Sequence, residues 1–255
     1  MRTTIKQVRA MPVRVPIEVD LAGLRARPSM GVCLVEVQTE DGITGYGMSA
    51  ITQEGVVAHA VENVAAPALL GQDALRTEQL WEKLYWLLSP RGQTGYASHV
   101  MAAVDTALWD IKGKALGMPV WQLLGGARER VQVYTTFGFP SFEREQLAEA
   151  ARHWYERGHR RLKMVVGHGA LANREQQPLS EVIREDARRV RAVRDAVGDD
   201  AELYIDANCC LDAAHALQMA ELIADCRIAF FEEPVTQNDV LQMAELRRRT
   251  GMRLG

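Results

Sequence analysis

The feature that most constrains this chain is a change of pattern near Val131. From there, short apolar runs alternate strictly with longer amphipathic ones. The spacing predicts strands at 131–134, 161–166, 202–206 and 228–232. Helices are predicted at 142–158, 179–197, 212–225 and 237–251, and residues 253–255 open a further strand. Connections that contain a whole helix are too long for hairpins, so successive strands must run parallel with right-handed crossovers. Two architectures satisfy this: a TIM-type barrel and an open doubly wound sheet. No G-x-G-x-x-G follows the first strand, which disfavours a dinucleotide-binding sheet.

Upstream, the pattern is different. Residues 4–15 alternate weakly, and 31–39 (GVCLVEVQT) form a strong strand signal. Asp41-Gly42 then joins this run to 43–48 as a hairpin. The stretch 19–28 has no period and reads as a loop. Helical spacing follows at 56–70, 76–88 and 97–116. The last of these carries Val100, Val104, Ala107, Leu108 and Ile111 on one face and stops at Gly117 and Pro119. A short helical turn at 119–124 closes with Gly125-Gly126. The reading is an α/β chain with an N-terminal α+β domain at 1–125 and a (β/α) domain at 126–255.

A net charge of -3 gives no basic footprint for nucleic acid. The run Arg247-Arg248-Arg249 sits in a helix and reads as a solvated face. Cys33, Cys209, Cys210 and Cys226 make no C-x-x-C pair, so free thiols and a cytoplasmic setting are expected. No apolar h-region or membrane-length apolar stretch is present, so neither export nor a membrane partner is expected.

In parallel α/β folds the reactive groups project from the C-terminal ends of strands. Here those ends carry Lys163, then Asp206-Ala207-Asn208, then Glu232-Glu233-Pro234. Carboxylates on adjacent strands repel unless a cation lies between them, and Mg²⁺ suits such oxygens. Equally, Asp206 and Glu232 can cap following helices or pair with barrel lysines. Lys163 can neutralise a substrate anion or pair with one of those acids. His168, in a glycine-rich loop, can reach a substrate or be an ordinary loop residue. No Ser/His/Asp order, G-x-S-x-G or phosphate-cradling loop is found.

The run from Ala107 to Lys114 (ALWDIKGK), continuing through Leu116-Gly117-Met118-Pro119-Val120 and Leu123-Leu124-Gly125-Gly126, resembles the segment entering the barrel of mandelate racemase/muconate lactonizing enzymes. Tyr204-Ile205-Asp206-Ala207-Asn208 and Phe231-Glu232-Glu233-Pro234 resemble that family's first two metal-ligand strands, and their separation of 26 residues also fits. The resemblance implies a capping domain over a TIM-type barrel, with the segments 19–28 and 51–55 setting specificity. It implies one Mg²⁺ held by three carboxylates, of which Asp206 and Glu232 are the first two. That ion holds a small, acid-sugar-like carboxylate substrate and stabilises the enediolate formed on loss of its α-proton. Asn208, Glu233 and His168 would face the ligands or the substrate, and Lys163 would serve in catalysis.

Two departures follow from the same resemblance. The family's Lys-x-Lys on the second strand is Lys163-Met164-Val165 here, and a valine carries no proton. One-base dehydration of a sugar acid, with a His-Asp base on later strands, is therefore expected over two-base racemisation. Racemase, epimerase or cycloisomerase activity is the alternative. The third carboxylate is expected roughly three residues beyond Gly255, so a partial barrel is expected, with weak Mg²⁺ affinity and no turnover by this chain alone. A non-catalytic truncated paralogue is the reading from another class. Its exposed strand edges would favour homo-oligomers.

Overall fold

The computed structural model describes residues 3–90 and 95–255. It divides into two compact units: 1–19 with 26–130, and 20–25 with 131–255.

The first unit is built on an antiparallel sheet of β1 (Ile5–Pro16), β4 (Ser29–Thr39) and β5 (Thr44–Ala50), in the order β1-β4-β5. Alternation along β4 buries Cys33, Val35 and Val37 on one face, as a half-buried strand requires. Helix α1 (Glu54–Ala60) runs into a π-helical turn (Val61–Ala65) and then α2 (Ala66–Leu69), where the sequence suggested one continuous helix. Helices α3 (Thr77–Leu88), α4 (Tyr96–Leu116) and α5 (Val120–Leu123) complete the layer. The face of α4 anticipated from its spacing is buried throughout, and it forms the core with the sheet. Gly117 ends α4 in the left-handed region, with the Met118 N–H donating to the Gly113 carbonyl in a Schellman closure. Gly45 and Gly47 project from the same face of β5 onto α4. A Cβ at Gly47 would press into the Ala103 carbonyl oxygen and stand 2.8 Å from the Ala107 nitrogen. The helix can lie this close only because those side chains are missing.

The stretch 19–28 is not a loop but holds a hairpin, β2 (Val19–Leu21) with β3 (Leu24–Ala26). Ala22 and Gly23 both take positive φ in its turn. Such two-residue primed turns follow strand twist, but Ala22 is a poor advertisement for one. The ion pairs Arg25–Asp20 and Arg27–Glu18 flank the turn.

The second unit carries a four-stranded parallel sheet of β6 (Thr135–Gly138), β7 (Arg161–Val165), β8 (Glu202–Asp206) and β9 (Ile228–Glu232), hydrogen-bonded in the order β6-β7-β8-β9. Between them run α6 (Arg144–Glu156), α7 (Leu179–Val197) and α8 (Ala213–Leu222), and α9 (Val240–Thr250) follows β9. Strand order equal to chain order is the winding of a barrel. A doubly wound sheet reverses direction at a switch point. Past α9, Leu254 makes a parallel bridge to Phe231 at the start of the next strand. The first strand lies four residues later than the sequence suggested. Val131 and Val133 are exposed, and among the described residues β6 pairs with β7 alone. Side-chain caps fix the helix starts: Glu143 with Gln146 in a capping box on α6, Asp212 on α8 and Asp239 on α9. Arg247, Arg248 and Arg249 are exposed, as expected of a solvated face. No helix among the described residues is long and apolar enough to cross a membrane.

All four cysteines are free. Burial, and then the charge of Asp225, pushes the Cys226 thiol up to about 11. Burial followed by Glu62 also raises Cys33, and burial followed by Glu233 raises Cys209. The thiolate is the reactive form. A maleimide at pH 8 is therefore expected to modify half-buried Cys210 first, and Cys33 and Cys226 only after denaturation. Peptide mass spectrometry would check this, and rapid native labelling of Cys226 would contradict it.

Candidate active site

Parallel register sets the geometry of the strand ends. Val165 pairs with Asp206, and Asp206 pairs with Glu232, giving one row across β7, β8 and β9. Two residues earlier, Lys163, Tyr204 and Phe230 form the row beneath it. Tyr204 meets Phe230 edge-on on one side and Tyr134 on the other, so this lower row is aromatic. Lys163 belongs to the lower row but is long enough to span the step to the upper one.

It does so. The Lys163 Nζ donates to Asp206 Oδ2 at 2.9 Å and to Glu232 Oε2 at 2.7 Å. Lys163 and Asp206 are buried, and Glu232 is partly exposed. The ammonium also lies 5.0 Å from the centre of the Tyr134 ring. Burial alone would lower its pKa. The hydrogen bonds to Glu232 and Asp206 and the charge of Asp206 outweigh that and hold it above the ordinary lysine value. Lys163 thus pairs with both acids, where the sequence suggested at most one. The signal for this lay in register, which spacing along one strand does not carry.

The other Asp206 oxygen is also engaged. Asn208 donates to Oδ1 through its backbone N–H at 2.8 Å and its Nδ2 at 3.0 Å. Asn208 takes a left-handed φ of 45° to do so, a conformation asparagine tolerates better than most residues. Glu233, also at positive φ, lies outside the cluster. Its Oε1 accepts from Asn238 at 3.5 Å, and its backbone carbonyl accepts from Cys209. His168 is exposed on the loop after β7 and makes no hydrogen bond to the cluster. His215 lies in the first turn of α8, where its backbone N–H donates to the capping Asp212 Oδ1 at 2.9 Å and its ring Nδ1 stands 2.7 Å from the same oxygen. Tyr134, beside the ammonium, was not picked out from the sequence. Val165, buried in the upper row beside Asp206, presents only carbon there.

Mg²⁺ takes hard oxygens and is commonly held by one or two carboxylates, with waters filling its shell. Asp206 and Glu232 meet that requirement, since an oxygen of each lies within hydrogen-bond length of a single cationic nitrogen. Among the described residues no group of three or more His, Cys, Asp or Glu is arranged to hold a metal. The pair therefore offers two protein ligands.

Comparison with known proteins identifies the family. The mandelate racemase/muconate lactonizing enzyme N-terminal domain matches residues 2–125, and the enolase C-terminal domain-like family matches 146–255. Arabinonate dehydratase from Saccharolobus solfataricus is 33% identical over 88% of this chain and 57% of its own length. The 3,6-anhydro-alpha-L-galactonate cycloisomerase from Streptomyces coelicolor is 32% identical over 97% of this chain and 66% of its own. A racemase from Streptomyces coelicolor A3(2), solved with bound magnesium, superposes with a TM-score of 0.81 at 29% identity, covering 98% of this chain and 68% of that one. Other relatives are named as dehydratases, cycloisomerases and racemases. The chain spans 44% to 66% of the length of such curated relatives.

Proposed function

The chain belongs to the mandelate racemase/muconate lactonizing family of the enolase superfamily, and from that membership we propose that the protein is a Mg²⁺-dependent enzyme that removes the α-proton of an acid-sugar carboxylate and dehydrates it. The observation that carries this reading is the convergence of Asp206 and Glu232, on neighbouring strand ends, upon one cationic point.

Asp206 and Glu232 would hold the ion. When bound, it supplies positive charge beside the substrate carboxylate and lowers the cost of removing the neighbouring proton. Asn208 fixes the orientation of Asp206 by donating twice to Oδ1. Val165 gives its side of the row an apolar, proton-free surface, so β7 supplies no base there. Lys163 keeps a fixed positive charge at the mouth of the aromatic row. Dehydration rather than racemisation follows from the missing base. The similarity to a cycloisomerase, close to that of the dehydratase, favours cycloisomerisation as the second reading.

The test is a screen of acid sugars with Mg²⁺ on a form of the protein that carries a complete barrel, following formation of a 2-keto-3-deoxy acid and any epimerised substrate. Keto-acid formation that stops with a chelator is expected. Racemisation without dehydration, or turnover indifferent to the chelator, would overturn the reading. Two protein carboxylates make a modest Mg²⁺ site, so weak binding by the 255-residue chain is expected. Tight stoichiometric binding in calorimetry would contradict it.

A further inference from the structure

Lys163 is, among the described residues, the only cation in ion-pair contact with Asp206 or Glu232. It occupies the point on which the two carboxylates converge, so an ammonium already does there what a divalent ion would do. The three groups sum to one negative charge. A divalent ion in place of the ammonium would bring the pair to neutrality. Both cations together between the same two oxygens would face each other at close range with little solvent to screen them.

The placement of the lysine allows exchange. Its backbone sits one row below the acids, and only its flexible four-carbon stem reaches them. The head can withdraw without moving β7. The face of Tyr134, 5.0 Å from Nζ, offers a resting place that suits an ammonium.

We propose that Lys163 is a resident counter-cation: it holds the ends of β7, β8 and β9 together in the ion-free protein and is displaced from between Asp206 and Glu232 when a divalent cation binds. The affinity of the site is then set by a competition inside the protein as well as by its ligands. The proposal rests on the reading that Asp206 and Glu232 hold the ion, and its test separates the two.

Mn²⁺ binding is measured by electron paramagnetic resonance, and thermal unfolding is recorded with and without the ion. Wild type, Lys163→Met, Lys163→Gln and the double variant Asp206→Asn/Glu232→Gln are compared. Removing the competing ammonium is expected to tighten Mn²⁺ binding roughly tenfold or more. The lysine variants should melt lower than wild type without Mn²⁺ and recover more of the loss with it. Equal or weaker Mn²⁺ binding by both variants overturns the displacement. Mn²⁺ binding that survives in the double variant overturns the site itself. Should both lysine variants fail to fold, reductive methylation of wild-type Lys163, read by mass spectrometry, decides the matter. Faster modification with Mn²⁺ supports displacement, and an unchanged rate contradicts it.

Discussion

The double variant Asp206→Asn/Glu232→Gln is expected to lose divalent-ion binding and to be less stable by about 3 kcal/mol, at the low end of what breaking a buried ion pair costs. The amides keep acceptors for the Lys163 ammonium, but they remove both negative charges from a group that is itself buried. An ammonium out of water without counter-charge is costly, and an amide dipole only partly offsets that. For a chain of this size the loss corresponds to a fall in melting temperature of roughly 6–12 °C. Glu233→Gln is the control. Its carboxylate has no ion pair with Lys163, so a change within about 0.5 kcal/mol is expected. The pH dependence has a definite sign. The folded-state pKa of Lys163 is raised, so its contribution is fully present below the ordinary lysine range of about 10.4. That contribution is lost only as pH rises through the higher folded value. The gap between wild type and the double variant should therefore hold from neutral pH to about 10 and narrow above it. Circular dichroism melts over that range would check this. A gap that closes between pH 7 and 9 would show that the ammonium is not held as the geometry implies.

Gly47→Val is expected to prevent the first unit from folding. A side chain at this position has no space, because its first carbon already overlaps the backbone of α4 at Ala103 and Ala107. Backbone cannot step aside as a rotamer can. The penalty should therefore exceed the roughly 1–3 kcal/mol typical of overpacking. Separation of α4 from β5 would expose the core that α4 shares with the sheet. Gly55→Ala, at a position in α1 with open space around it, should instead stabilise by about 0.5–1 kcal/mol through helix propensity. Near-ultraviolet circular dichroism and soluble yield distinguish the outcomes. A well-folded Gly47→Val protein would refute the packing described for α4 on β5.

Much of the fold was legible because its signals are local. The βα alternation beyond Val131 gave the parallel sheet, and the apolar stripe of α4 gave its buried face. Helix α7 has the bounds its periodicity suggested, Leu179–Val197. The misses are where local signal is weak. The hairpin at 19–26 turns on Ala22, a residue with no turn preference. The π-helical turn at Val61–Ala65 breaks a run whose hydrophobic pattern looks continuous. The first barrel strand begins at Thr135 because pairing with β7 decides where it becomes a strand, and β-branched composition at 131–133 does not.

The site was legible to the same degree. Strand-end carboxylates are visible as Asp206 and Glu232, because a strand ending in an acid at the reactive edge of a parallel sheet is an unusual pattern. The bridging by Lys163 depends on its standing one row lower in register, and the proximity of Tyr134 depends on the loop before β6. Neither can be read along a single strand. The roles of Asn208 and Glu233 also part in three dimensions. Asn208 holds Asp206, whereas Glu233 turns toward Asn238 and Cys209.

The most direct test of the central claim is a crystal of this protein equilibrated with millimolar Mn²⁺, examined by anomalous diffraction. The account predicts a peak within coordination distance of one oxygen of Asp206 and one of Glu232, with the Lys163 ammonium no longer between them. A map with no peak there, and Lys163 still bonded to both carboxylates, would contradict it.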